Sequence, residues 1–245
     1  MQRKPIVAGQ FYPGTRSECL DEIKQCLDEA ILNMPLPNKI VAGIVPHAGW
    51  IYSGATAAFV FKAIKQQHPK VDTFVIFGAA HGYLGHPPAV YDKGSWLTPL
   101  GEIPIDKELA KAVLESRTAI SNCEAHDSEH SMEVQVPFIQ YLFPDARILP
   151  VLTPPSRDAI LLGEIIGSII LIDDERKIVC IGSTDLTHYG PGYGFTPMGE
   201  DKEGLKWASE VNDRQFIDFA LKMQPEEMLD SASAQQQRLS PPQNP

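Results

Sequence analysis

Three apolar runs in this chain end in the same way. Ile40 to Val45 stops at Pro46-His47, Phe74 to Phe77 passes through Gly78-Ala79-Ala80 to His81, and Ile178 to Ile181 leads through Ser183-Thr184-Asp185 to His188. Short apolar runs bounded by Gly and Pro read as buried strands. Each therefore delivers a residue able to bind a metal or move a proton to the carboxyl end of a strand. In open α/β sheets that edge is where ligands bind. The pattern constrains the chain to strands joined by helices, with its chemistry gathered at one edge.

The segments between these runs supply the helices. Apolar residues at 20, 23, 27, 30 and 31 predict a helix over 17–34, started by Ser17 and stopped by Pro35 and Pro37. Further helices are expected over 55–67, 106–116, 132–142 (with Pro137 kinking it or in its first turn), 158–172 and 203–223, and a buried strand over 147–152. Residues 4–14 are too broken by Gly and Pro for a regular element and are expected to form an ordered loop carrying Tyr12 over the domain. The fold class is α/β: a single domain with a central, mostly parallel or mixed sheet flanked by helices. The first two runs and the helix between them read as a βαβ unit, and since sequential strands are usually neighbours, His47 and His81 would emerge side by side on the same edge of the sheet.

Composition excludes several classes of function. With 21 basic against 31 acidic side chains the net charge is -10, and no basic cluster could neutralise several phosphates, so nucleic acid is a poor partner. No apolar run is long enough to span a bilayer and no signal-peptide core follows Met1; the expectation is a cytoplasmic protein with no membrane partner. The four cysteines show no CxxC pattern, and Cys19 and Cys26, on one helix, are too far apart to bridge; free thiols are expected.

His47, His81 and a carboxylate or third imidazole from Asp185 or His188 match the two-histidine, one-carboxylate pattern of non-heme iron sites. A single strand-end histidine is more often a hydrogen-bonded loop residue; three in the same sense argue for a site. His130 is a candidate acid/base or ligand-orienting group, with Glu129 and Glu133 beside it. The same stretch, Asp127 to Glu133, is also readable as a solvated helix start, and sequence alone favours that slightly. Asp185 and His188 share a side if the chain turns helically there and oppose each other if it is extended. Tyr12, Trp50 and Tyr52 either line the pocket or pack around loops. His68 reads as a helix-end residue, and His86 and His126 as solvated loop residues. No GxSxG elbow surrounds Ser183, which argues against a serine nucleophile.

Taken together, Ala8-Gly9-Gln10-Phe11-Tyr12-Pro13, Pro46 to Gly54, Glu129 to Pro137 and Ser183 to Tyr189 resemble the Memo family, including the members called AmmeMemoRadiSam system protein B. The four motifs span about residues 5–225 in matching order. The resemblance implies a fold like that of class III extradiol dioxygenases, His47 and His81 as metal ligands, and Asp185, His188 and His130 in the same pocket. It implies Fe(II) or Cu as the metal. Family members continue into a cysteine-bearing motif whose cysteine is a ligand, whereas no cysteine follows Cys180 here. The expectation is a Memo-like domain over 1–230 lacking its C-terminal strand or strands, with a weakened site, and a disordered low-complexity tail over 231–245.

Three functional readings follow. The first is a mononuclear non-heme iron or copper site with redox or oxygenase-like chemistry on an unidentified small molecule or peptide: His47 and His81 as metal ligands with Asp185 or His188 completing the set, and His130, His188 and Asp185 as the catalytic candidates. The second is a binding module that uses the same pocket without turnover. The third is a Zn-dependent hydrolase.

Overall fold

The structure is a computed structural model describing residues 1–239. It contains nine strands and eight α-helices. The strands are β1 (Gln2–Arg3), β2 (Ala42–Val45), β3 (Thr73–Gly78), β4 (Ala89–Val90), β5 (Ser95–Thr98), β6 (Gly101–Pro104), β7 (Ile120–Ser121), β8 (Arg147–Leu152) and β9 (Ile178–Ser183). The helices are α1 (Arg16–Glu29), α2 (Trp50–Gln67), α3 (Lys107–Glu115), α4 (Val136–Leu142), α5 (Arg157–Ile172), α6 (Lys202–Trp207), α7 (Arg214–Leu221) and α8 (Pro225–Leu239).

Six strands form the main sheet in the order β2-β9-β3-β8-β4-β7. β2, β9, β3 and β8 run parallel, while β4 is antiparallel to β8, so the sheet is mixed. The central strands β3 and β8 are buried almost throughout, as continuous apolar runs should be when helices cover both faces. One core holds Ile23, Phe61, Phe74, Trp50 and Phe138 beneath α1, α2 and α4; the other holds Val75, Leu149, Leu109, Leu162 and Ile166 beneath α3 and α5. A smaller sheet, β1-β5-β6, carries the N-terminus against the main body.

The topology corrects the expected adjacency of the first two ligand-bearing strands. β2 does not pair with β3, because β9 lies between them and pairs with both. The three runs that end in His47, Asp185 and His81 are thus three consecutive parallel strands, with Val45 level with Ser183 and Phe77 level with Gly182.

Other differences are local. Helix α1 is capped by Thr15, whose side chain accepts from the Glu18 N–H, rather than by Ser17, and it ends at Glu29. Pro35 disfavours helical backbone at Met34, and Ile31 and Met34 are exposed rather than packed on the core. Helix α2 begins at Trp50, five residues earlier than its apolar pattern. Gly49 offers no side-chain cap, and the loop over residues 4–14 supplies one instead: the Phe11 carbonyl accepts the Trp50 N–H at 2.7 Å. The helix expected over 132–142 is a 3₁₀ turn, Glu133–Gln135, followed by α4 with Pro137 in its first turn, where a missing N–H costs nothing. The one expected over 203–223 is α6 and α7 joined by a π-helical segment, Ala208–Asp213. Helix α8 enters the stretch expected as a low-complexity tail, through Met, Leu, Ala and Gln that favour helix; residues 240–245 of that stretch lie outside the described residues.

Candidate metal centre

At the carboxyl edge of the sheet, β2 is terminated by Pro46, which has no N–H to continue a ladder. The next residue, His47, turns inward. Its backbone N–H donates to Asp185 Oδ1 at 2.7 Å, and its Nε2 lies 3.7 Å from Asp185 Oδ2. Asp185 follows β9, so a carboxylate from one strand end holds the loop of the next. His81 arrives beyond Gly78 at the end of β3. His130 comes from the polar connection ahead of the 3₁₀ turn Glu133–Gln135.

His47, His81 and His130 converge, each offering a ring nitrogen, with all three atoms within 4.8 Å of one another. Ring centroids are 5.4 Å apart for His47 and His81, 5.6 Å for His47 and His130, and 4.8 Å for His81 and His130. His47 is buried, His130 is partly covered and His81 is exposed, so the cluster opens to solvent on the His81 side.

Glu129 organises that side. It is 3% exposed and takes the His81 N–H at 3.1 Å, the His81 Nδ1 at 3.0 Å and the Ser131 N–H at 2.8 Å. Burial alone would raise its carboxyl pKa, but the hydrogen bonds from His81 and Ser131 prevail and bring it down to about 2. The anion so held raises the pKa of His81, against the effect of burial. His47 and His130 are shifted the other way, down, chiefly because burial penalises the imidazolium. The three neighbouring histidines are thus tuned in opposite senses: burial favours the neutral form of His47 and His130, while Glu129 favours the charged form of His81.

Glu129 and its neighbour Glu133 are not a solvated helix start. Glu133 is 1% exposed and pairs with Arg3 Nη1 at 2.7 Å, and it also accepts from the Ile6 and Val7 N–H groups and from Tyr12 Oη. Arg3 further donates to the carbonyls of His126 and Glu129, at 2.9 and 2.6 Å, and its guanidinium lies 4.2 Å from the centre of the Trp96 ring. The N-terminal strand therefore clamps the connection that carries Glu129 and His130. Sequence reading passed over Arg3; the available signal was that two carboxylates on a buried segment require a cation. His126, expected in solvent, is fully buried against Tyr91 and Trp96 with Nε2 on the Ala89 carbonyl at 3.2 Å.

The remaining candidates separate. His188 reaches Asp185 Oδ2 with Nε2 at 3.5 Å although the segment between them is not helical, and its side chain is 54% exposed beside Tyr193. Asp213, in the π-helical segment, accepts the Thr187 N–H at 2.9 Å and the Thr187 hydroxyl at 2.5 Å, fastening the loop that bears Asp185 and His188. Tyr12 and Trp50 are buried, with rings 5.2 Å apart, and Trp50 Nε1 donates to the Val134 carbonyl. Tyr52, in the first turn of α2, is 86% exposed. His47, His81, His130, Asp185, His188 and Glu129 are thus one group, and Tyr12, Trp50 and Glu133 belong to the packing that supports it.

The donor set is chemically suited to a transition metal: imidazoles fit Zn, Cu, Fe and Ni, and an adjoining carboxylate fits the harder of these. Comparison with known proteins identifies the family. The family model described as Memo-like protein matches residues 3–241. A MEMO1 family protein of Thermococcus onnurineus is 45% identical over 234 residues, covering 91% of this chain and 79% of that protein. A MEMO1 family protein of Pyrococcus abyssi is 40% identical with the same coverage, and one of Thermotoga maritima is 39% identical over 77% of this chain and 71% of its own length. A match over nearly the whole chain, with the motif residues meeting at one sheet edge, makes this chain a member of the Memo family.

Proposed function

We propose that the cluster is a mononuclear metal centre of the non-heme iron or copper type, held by His47, His81 and His130 with Asp185 at its edge. The observation that carries this reading is the meeting of three imidazole nitrogens within 4.8 Å in a partly buried setting. Bound there, iron or copper would supply redox chemistry and an open coordination position. The chain's own contributions follow from the geometry. Glu129 fixes the His81 ring through Nδ1 and leaves its other nitrogen toward the cluster. Asp185 anchors the His47 backbone and stands between His47 and the exposed His188, where His188 can pass protons between Asp185 and solvent. A metal ligand must be a neutral imidazole, so a metal competes with protons at His81, whose pKa Glu129 raises.

Zn is the second reading, favoured by one observation: the third converging group is His130 rather than a carboxylate, and three histidines with an open position suit a hydrolytic zinc site as well. Metal analysis of protein purified without chelator decides between them. Fe or Cu at about one equivalent, lost in His47→Ala, His81→Ala and His130→Ala, is the expected result. Zn with ester or amide hydrolysis would select the second reading. Equal metal content in the parent and all three variants would end both.

A further inference from the structure

Around the ring of His47 lies a run of hydrogen bonds in which each proton has one possible place. Gln135 Nε2 donates to the Pro46 carbonyl at 2.7 Å and to Ser183 Oγ at 3.0 Å. A carbonyl only accepts, so the amide cannot be turned the other way round, and both of its hydrogens are committed. Ser183 Oγ in turn donates its single proton to the Ser131 carbonyl at 2.6 Å, again to a group that cannot return one. What Ser183 Oγ has left is a lone pair, and it lies 3.5 Å from His47 Nδ1. Gln135, Ser183 and His47 are all buried, at 1%, 3% and 3% exposure, where water is poorly placed to rearrange these bonds.

Only a donor can face that lone pair. We infer that Gln135 and Ser183 are positioning residues that hold His47 as the Nδ1–H tautomer and present its Nε2 lone pair to the cluster formed with His81 and His130. The role toward a metal rests on the metal-centre reading; the tautomer rests on Ser183 Oγ lying within hydrogen-bond reach of Nδ1 at 3.5 Å, whereas Asp185 Oδ2, 3.7 Å from Nε2, lies beyond it. His81 is set in the same sense by a different partner, since ionised Glu129 takes its Nδ1–H. One ring is thus fixed by a carboxylate and the other by a neutral Gln-Ser relay. The neutral relay orients His47 without adding a further carboxylate beside the partly buried Asp185.

The test uses the metal-free full chain. Long-range ¹⁵N–¹H spectra of the histidine rings report which nitrogen carries the proton. The wild-type protein should show His47 protonated on Nδ1 and bare on Nε2 at neutral pH. Ser183→Ala should move the proton to Nε2 in a large fraction of molecules and weaken Co(II) binding about 10–100-fold. Ser183→Thr, which keeps the hydroxyl, should retain both the tautomer and the affinity. A His47 proton on Nε2 in the wild-type protein overturns the inference without need of any variant. So does a Ser183→Ala protein with wild-type tautomer, or one with wild-type Co(II) affinity. Failure of the wild-type protein to bind Co(II) would instead remove the metal-centre reading and leave the tautomer measurement to stand.

Discussion

His126 should make this protein acid-sensitive well above the range in which carboxylates titrate. The imidazole is fully buried, and burial, reinforced by the Arg3 charge nearby, pushes its pKa from 6.5 down to about 3. In the unfolded chain it titrates near 6.5. The folded value is the lower one, so the unfolded state binds the extra proton between these limits. Stability is then complete above about pH 6.5 and is lost as pH falls toward 3. At about 1.4 kcal/mol per pH unit, the limit is about 5 kcal/mol at pH 3, and the part lost between pH 7 and pH 5 is about 2 kcal/mol. The assay is urea unfolding of the chelated protein at pH 7, 6 and 5, for the wild type and for His126→Gln, which keeps a donor for the Ala89 carbonyl. The stability difference between the two proteins should fall by about 2 kcal/mol over that range in the disfavour of the wild type. Parallel stability curves would show that protonation of His126 is not linked to unfolding, and the argument from its burial would be wrong.

Arg3→Met should cost about 3–5 kcal/mol in urea unfolding, since it leaves Glu133 charged and buried; Arg3→Met with Glu133→Leu should recover much of it, and a single-variant loss under about 1 kcal/mol would contradict the clamp. Glu129→Gln should weaken Co(II) binding about 10–100-fold by releasing the His81 ring, and unchanged affinity in a chelator competition would remove Glu129 from that role. Gly78→Ala would put a methyl 2.5 Å from Met132 Cγ and 2.8 Å from Ser131 Oγ, so its melting temperature should drop by the equivalent of about 1–3 kcal/mol; no drop would mean that the connection yields freely. Burial pushes the thiols of Cys19, Cys26 and Cys180 up to about 12, about 11 and about 12, so a thiol-reactive disulfide should label them slowly in native protein and rapidly in urea, and fast native labelling of Cys19 would refute this.

The strand-end histidines, the α/β class and the approximate elements were legible in the residues because they depend on local patterns: apolar runs, Pro and Gly stops, helical spacing. His47, His81 and Asp185 could be named as one site for the same reason, since each follows its strand directly. Which strands are neighbours was not legible. β9 lies between β2 and β3 and forms parallel backbone ladders with both, a pairing made only when strands more than a hundred residues apart meet. The same holds for His130: flanked by acidic residues it looks solvated, and it joins the cluster because Arg3 and the Ile6 and Val7 N–H groups neutralise and bury the segment that carries it. Sequence by itself determined which chemical groups stand at strand ends. Tertiary structure decided which of them meet, because a buried carboxylate or imidazole is stable only where distant parts of the chain bring it a partner.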